Sequence, residues 1–214
     1  MATSISRVLI LVILSFITIF STCKKGGLCG DNDTYTFENN YATASPNNDS
    51  VLIGDTIWIE INIPSKLRDI NTNQIVDFSN AVSIGNSFGV GEFIGGSISD
   101  PGTIGAVNNF SYVTIKGHLI NDNILNERIQ FSFNKINDSF YLKVGVIPKI
   151  TGAYYVGISD DAGVVYRKND VCTKATFDFQ FANTNQHLYL YQNNRPGYII
   201  SDYEKAHLYC FKVY

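Results

Sequence analysis

Thr56-Ile57-Trp58-Ile59-Glu60-Ile61-Asn62-Ile63 sets the fold class, because Ile57, Ile59, Ile61 and Ile63 recur at every second position. A period of two is the signature of a strand with one buried face. Trp58, Glu60 and Asn62 point the other way, to a face that is mostly wet. Gly54-Asp55 before the run and Pro64 after it are turn punctuation.

The same grammar recurs towards the C-terminus. Tyr112 to Leu119 alternates Val113, Ile115, Gly117 and Leu119 against Thr114, Lys116 and His118. Ile129, Phe131 and Phe133 alternate with Gln130, Ser132 and Asn134. Phe140, Leu142, Val144 and Val146 follow the turn Asn137-Asp138-Ser139, so this pair reads as a hairpin. Pro148 to Gly152 connects to Tyr154, Val156 and Ile158. Asp160-Asp161-Ala162-Gly163 turns the chain into Val164-Val165-Tyr166. Phe177, Phe179 and Phe181 alternate again, and Leu208 to Val213 closes the chain as a strand. Short strands punctuated by Gly, Asp, Asn and Pro predict an all-β fold, an antiparallel sandwich or barrel. The stretches Val51 to Ile63 and Phe110 to Ile158 resemble the strand pattern of immunoglobulin-like β-sandwiches, without the Cys-Trp-Cys signature of antibody-type domains.

Two stretches fit this pattern less well. Gly85 to Gly105 is glycine-rich without a steady period and reads as a long functional loop or a bulged edge region. Thr184 to Gln192 fits a strand, with Tyr189 and Tyr191 against Leu188 and Leu190. It also fits one short helix capped by Asn183 or Thr184, with Leu188 and Tyr191 on one side. The helix is the expectation adopted.

At the other end of the chain, Arg7 is the only charge before Val8 to Phe20, a run that is apolar apart from Ser15 and Thr18. It is too short for a membrane span, which takes roughly 17 to 25 apolar residues, and suits a secretory h-region of about 7 to 15. Phe20-Ser21-Thr22-Cys23 resembles the lipobox of bacterial lipoproteins: an apolar residue, two small ones, then cysteine. The resemblance implies a signal peptide over residues 1–22 and a lipid on Cys23. It also implies a membrane partner through that lipid and residence in the bacterial cell envelope. Lys24, where inner-membrane lipoproteins tend to carry Asp, leans the expectation to the outer membrane. An ordinary secretory signal with a coincidental cysteine is the competing reading. Residues 23–34, with Lys24, Lys25, Gly26, Gly27 and Gly30, read as a tether, and residues 35–214 as a single domain.

Removing the signal leaves roughly 190 residues, enough for one elaborated domain or two small ones. No repeat or linker divides them. Net charge is −3 with scattered Lys and Arg, so nucleic acid is not an expected partner. Export favours disulfides. If Cys23 is lipidated, three cysteines remain and at most one internal bond can form. Cys29–Cys172 is the expected pair, with Cys29 close behind the anchor and Cys172 beside the turn-like Lys168-Asn169-Asp170. Cys29–Cys210 is the alternative. Cys210, in Tyr209-Cys210-Phe211, otherwise reads as a buried thiol.

Catalytic signals are sparse. Gly85-Asn86-Ser87-Phe88-Gly89 satisfies G-x-S-x-G, yet the residues after it make a poor helix, which a nucleophile elbow needs. His118, His187 and His207 lie in apolar or aromatic settings. Asp31-Asn32-Asp33 and Asp69 to Asn73 hint at calcium but lack the rest of a binding loop and read as tether and turn. No cofactor or metal is expected. Tyrosine is the one positive bias: Tyr189, Tyr191, Tyr198, Tyr203, Tyr209 and Tyr214 crowd the end of the chain, where they fill sheet faces or stack on sugars. The expectation is a non-enzymatic envelope lipoprotein that binds an envelope component or serves as an assembly subunit. A glycan binder using Tyr189, Tyr191, Tyr198 and Tyr203 is the alternative, and a hydrolase around Ser87 the third reading.

Overall fold

A computed structural model describes residues 34–82, 84–95, 102–124, 126–158, 165–167, 170–182 and 185–214. The expected signal peptide, Cys23, Cys29 and the tether up to residue 33 lie outside these residues, as do the turn 160–163 and the candidate caps Asn183 and Thr184. In chain order the elements are β1 (Thr34–Ser45), β2 (Ser50–Val51), β3 (Ile57–Pro64), β4 (Lys66–Arg68), β5 (Ile75–Asp77), β6 (Ala81–Val82), β7 (Gly85–Phe93), β8 (Thr103–Gly105) and β9 (Phe110–Lys116). Then follow β10 (His118–Ile124), β11 (Arg128–Ser132), β12 (Asn134–Ile136), β13 (Ser139–Pro148), β14 (Gly152–Ile158), β15 (Val165–Arg167), β16 (Asp170–Phe181), helices α1 (Leu188–Asn194) and α2 (Asp202–His207), and β17 (Leu208–Val213). All belong to one compact unit, Asp33–Tyr214.

The fold is all-β with a helical cap. Sheet 1 runs β12-β13-β3-β1-β16-β15-β6, with β9 beside β12 on the outer edge of β13. Sheet 2 runs β10-β11-β7-β14-β17-β2, with β8 continuing the β11 side of β7. The expected antiparallel pairing holds for most neighbours, but β1–β16 and β2–β17 are parallel. Parallel neighbours need long crossovers, and β1 and β16 lie far apart in sequence.

One core joins the two sheets. Ile57, Ile59, Ile61 and Ile63 are all fully buried, as the period-two reading of β3 requires, and Leu142, Val144 and Val146 of β13 lie beside them in register. Phe88, Phe131, Tyr154, Tyr209 and Phe211 fill the core from sheet 2, and Phe110 of β9 packs edge-on against Tyr154 at 4.9 Å. The opposite face of β3 is wet. Glu60 there accepts from the Tyr141 hydroxyl and pairs with Lys143 at 2.9 Å, and the Lys143 ammonium lies 5.7 Å from the Trp58 ring.

Two alternating runs change sheet midway. The run through Leu119 breaks at Gly117 (φ +89°), where β9 of sheet 1 becomes β10 of sheet 2; a Cβ there would collide with the Ser132 carbonyl and Leu142. Its faces are also the reverse of the expectation. Tyr112 and Thr114 pair with inward Val146 and Val144, so Val113 shares the outer face with Gly145, and Val113, Ile115 and Leu119 are exposed. The run from Ile129 ends in β11, and the hairpin onto β13 is made by β12, with Asn137 (φ 52°) in its turn. Phe133, between β11 and β12, stacks on Phe179.

The glycine-rich stretch is neither loop nor edge over its first half: β7 is central in sheet 2, between β11 and β14. Its glycines let neighbours approach, since a Cβ on Gly91 would enter the space of the Tyr155 ring.

Candidate functional site

Side chains alternate along a strand, so the outer face of sheet 2 carries Gly89, Gly91 and Phe93 from β7, Ala153, Tyr155 and Gly157 from β14, and Leu208 and Cys210 from β17. This apolar strip is covered by the segment that holds α1 and α2. Tyr191, Ile200, Phe93, Leu208 and Cys210 form a second small core, with Leu188, Leu190 and Tyr198 against it. The expected helix exists, but it starts at Leu188. Its preceding residue, His187, is left-handed (φ 50°) and gives no side-chain cap; its Nδ1 lies 3.1 Å from the Cys210 carbonyl.

The second helix was not anticipated, although Ser201-Asp202-Tyr203-Glu204 carries its signal. Ser201 Oγ accepts from the Glu204 amide at 3.1 Å, and Glu204 Oε2 accepts from the Ser201 amide at 2.9 Å, which together form a capping box. Glu204 also accepts from the hydroxyls of Tyr191 (2.6 Å) and Tyr198 (3.1 Å). Arg195 donates to the Tyr191 hydroxyl and lies over the Tyr198 ring at 3.8 Å. Burial works to raise the Glu204 carboxyl, but hydrogen bonds from Tyr191, Ser201 and Tyr198 outweigh it and hold the group below its ordinary value of 4.5. Burial and the Glu204 carboxylate push the Tyr191 hydroxyl the other way, far up.

The four candidate tyrosines do not form one platform. Tyr191 is buried against Phe93, and Tyr198 is half-buried in the Glu204 network. Tyr189 is exposed and donates to Asp49, beyond the other flank of the cap. Tyr203 is exposed (48%) and lines a cleft.

Ser87 is buried in the middle of β7, with Gln130 as its cross-strand neighbour, and not on a strand-to-helix turn. Among the described residues, no hydrogen bond joins it to a histidine. His207, buried between α2 and β16, has Nε2 2.5 Å from Asp178 Oδ1 and Nδ1 2.6 Å from the Tyr203 carbonyl. His118 is exposed on β10. Cys210 is free and buried, and burial pushes its thiol up to about 12, so it behaves as a small hydrophobe. Cys172, half-buried on β16, is disulfide-bonded. Asp69 is a turn residue: its carboxylate accepts from Thr72 Oγ1 and the Thr72 and Thr36 amides, which hold it below its ordinary value.

A trough runs beside the cap. Gly89 and Gly157 are cross-strand partners whose neighbours Phe88, Val90, Val156 and Ile158 all point inward, so both glycines face out and leave a bare floor. One lobe, of about 180 Å³, lies between Tyr203, His207, Leu208 and Arg128. The other, of about 290 Å³, is lined by Thr103, Gly105, Glu127 and Tyr155, and the two share Gly89 and Arg128. His207 stacks on Tyr203 with centroids 3.9 Å apart, and its bonds to Asp178 and the main chain fix both rings. Tyr203 apart, these residues were not anticipated as a binding site. The only sign of them in the sequence is glycine at outward strand positions. No known family matches the chain, and no curated protein or solved structure is similar to it.

Proposed function

We propose that this chain is an exported bacterial lipoprotein, held in the cell envelope by a lipid on Cys23, whose β body acts by binding or as an assembly subunit and not by catalysis. The observation that carries the reading is the apolar run Val8 to Phe20 behind Arg7, followed at once by Phe20-Ser21-Thr22-Cys23. Two acyl chains or more, at about 0.8 kcal/mol per buried methylene, hold a protein stably on a membrane. The body itself then has no need to enter the bilayer. Lys24 favours the outer membrane. The non-catalytic half is supported by Ser87, which is buried mid-strand, and by His187 and His207, whose ring nitrogens meet partners other than Ser87.

Two finer points belong to the same proposal. The body is immunoglobulin-like in having two facing sheets on one core, and it departs from that plan at its parallel pairs. Cys29 is the partner of Cys172, which agrees with Cys210 being free. Mass spectrometry of the protein extracted from membranes tests both the anchor and the disulfide. The expected mature chain begins at residue 23 with a diacylglyceryl group and yields a Cys29–Cys172 peptide without reduction. An unmodified N-terminus, or a start elsewhere, contradicts the anchor.

Glycan binding is the second reading, and one observation favours it. Tyr203 is exposed, held against His207, and at the edge of a cleft.

A further inference from the structure

We infer that the trough over Gly89 and Gly157 is a binding site for a short segment of uncharged glycan, with Tyr203 as its aromatic shelf. The inference rests on the binding role proposed above and gives it a place and a ligand class.

Three features of the trough select this chemistry. First, the lobe at Tyr203 is walled by Leu208 and edged by a ring already fixed from behind by His207. A sugar ring presents an apolar C–H face to such a surface, and the shelf loses little freedom on binding. Second, the adjoining lobe is lined by residues of both hydrogen-bonding senses, Arg128, Thr103, Tyr155 and Glu127. Sugar hydroxyls both give and accept hydrogen bonds, so a mixed lining suits them. Third, the carboxylates Glu127 and Glu204 outnumber the one guanidinium, Arg128. That balance disfavours phosphorylated or sulfated ligands.

The shape agrees. Each lobe is at or below the lower end of the roughly 300–1,000 Å³ of ordinary ligand sites, and the two lie side by side. Such a trough suits two or three linked small rings better than one bulky ligand. It crosses the outer face of the sheet over the Gly89–Gly157 pair. At Gly89 the floor can be filled without disturbing the fold, since a Cβ there would meet nothing closer than 3.8 Å, whereas at Gly157 it would crowd Leu208 at 3.2 Å.

The test is amide chemical-shift titration of the exported chain with chitotriose, cellotriose and maltotriose, and with trialanine as the peptide arm. At least one trisaccharide is expected to shift the amides of Gly89, Gly105, Arg128, Gly157 and Tyr203 saturably, with Kd on the order of 1 mM. Gly89→Val and Tyr203→Ala should each weaken that binding at least tenfold while leaving the rest of the spectrum in place. Tyr203→Phe should retain it, as should Tyr189→Ala on the far flank. Shifts centred on Tyr189 and Asp49 would overturn the trough and keep glycan binding. No saturable shift with any trisaccharide, or a response to trialanine alone, would overturn the inference and leave the lipid anchor to its own test.

Discussion

The core between the sheets and the cap over sheet 2 are both built from aromatic rings, but different forces hold them. In the core the rings are mostly phenylalanine: Phe37, Phe177 and Phe179 from sheet 1, and Phe88, Phe131 and Phe211 from sheet 2, all essentially inaccessible. They hold by area removed from water, at roughly 1.5–3 kcal/mol for each large side chain. In the cap the rings are Tyr191 and Tyr198, bound through hydroxyls and cations to Glu204 and Arg195, and Tyr203, stacked on His207. The cap helices have 7 and 6 residues, too short to persist alone. They stand only while that network and the small apolar patch beneath them hold. The core therefore sets global stability, and the cap is a local unit able to open by itself.

Deleting a core ring should have the largest effect. Phe131→Ala is expected to cost about 3–5 kcal/mol, a large share of a typical 5–15 kcal/mol total. Urea unfolding followed by circular dichroism measures this, and a cost below about 1 kcal/mol would erase the contrast between the two regions.

Glu204→Ala removes the acceptor shared by Tyr191, Tyr198 and Ser201. The expected cost is about 1–3 kcal/mol, confined to the cap. In hydrogen exchange, the amides of α1 should lose protection while those of β3 and β13 keep theirs. Loss spread evenly over both sheets would mean that cap and core form one cooperative unit. A milder change, Ser201→Ala, removes one half of the capping box and should cost about 1 kcal/mol, again in the cap only.

Acid separates the same two regions without mutation. The Glu204 carboxyl is held below 4.5, so its contribution is fully present above that pH and drains away as pH falls through its folded value. Exchange in α1 should therefore speed up on acidification before that of the core strands. In Glu204→Gln this pH step should vanish. A wild-type cap that opens only with the core would contradict the prediction.

This contrast also explains what could be read from the sequence. The core was legible wherever a period of two and burial coincided, as at Ile57 to Ile63, Phe140 to Val146 and Phe177 to Phe181. Changes of sheet were not, because alternation runs straight through Gly117 and Phe133 while the chain crosses from one layer to the other. Nor was the facing of Val113 and Ile115, which is set by register against Val144 and Val146 and not by their own apolarity. The parallel partners β1 and β16 lie too far apart for any local signal. In the cap the tyrosines gave the region but not the arrangement, since Tyr191 and Tyr189 differ by two positions and one is buried while the other is exposed. The capping box at Ser201 was readable and was missed. The trough has almost no signature because its floor is made by side chains that are missing, at Gly89 and Gly157.

What the body binds matters only if the chain reaches the envelope, and that rests on Cys23. Palmitate labelling of cells that express the full chain or its Cys23→Ser variant tests it most directly. The predicted result is label on the wild-type protein in the membrane fraction and none on the variant, which moves to the soluble fraction. Equal label on both proteins would contradict lipidation at Cys23.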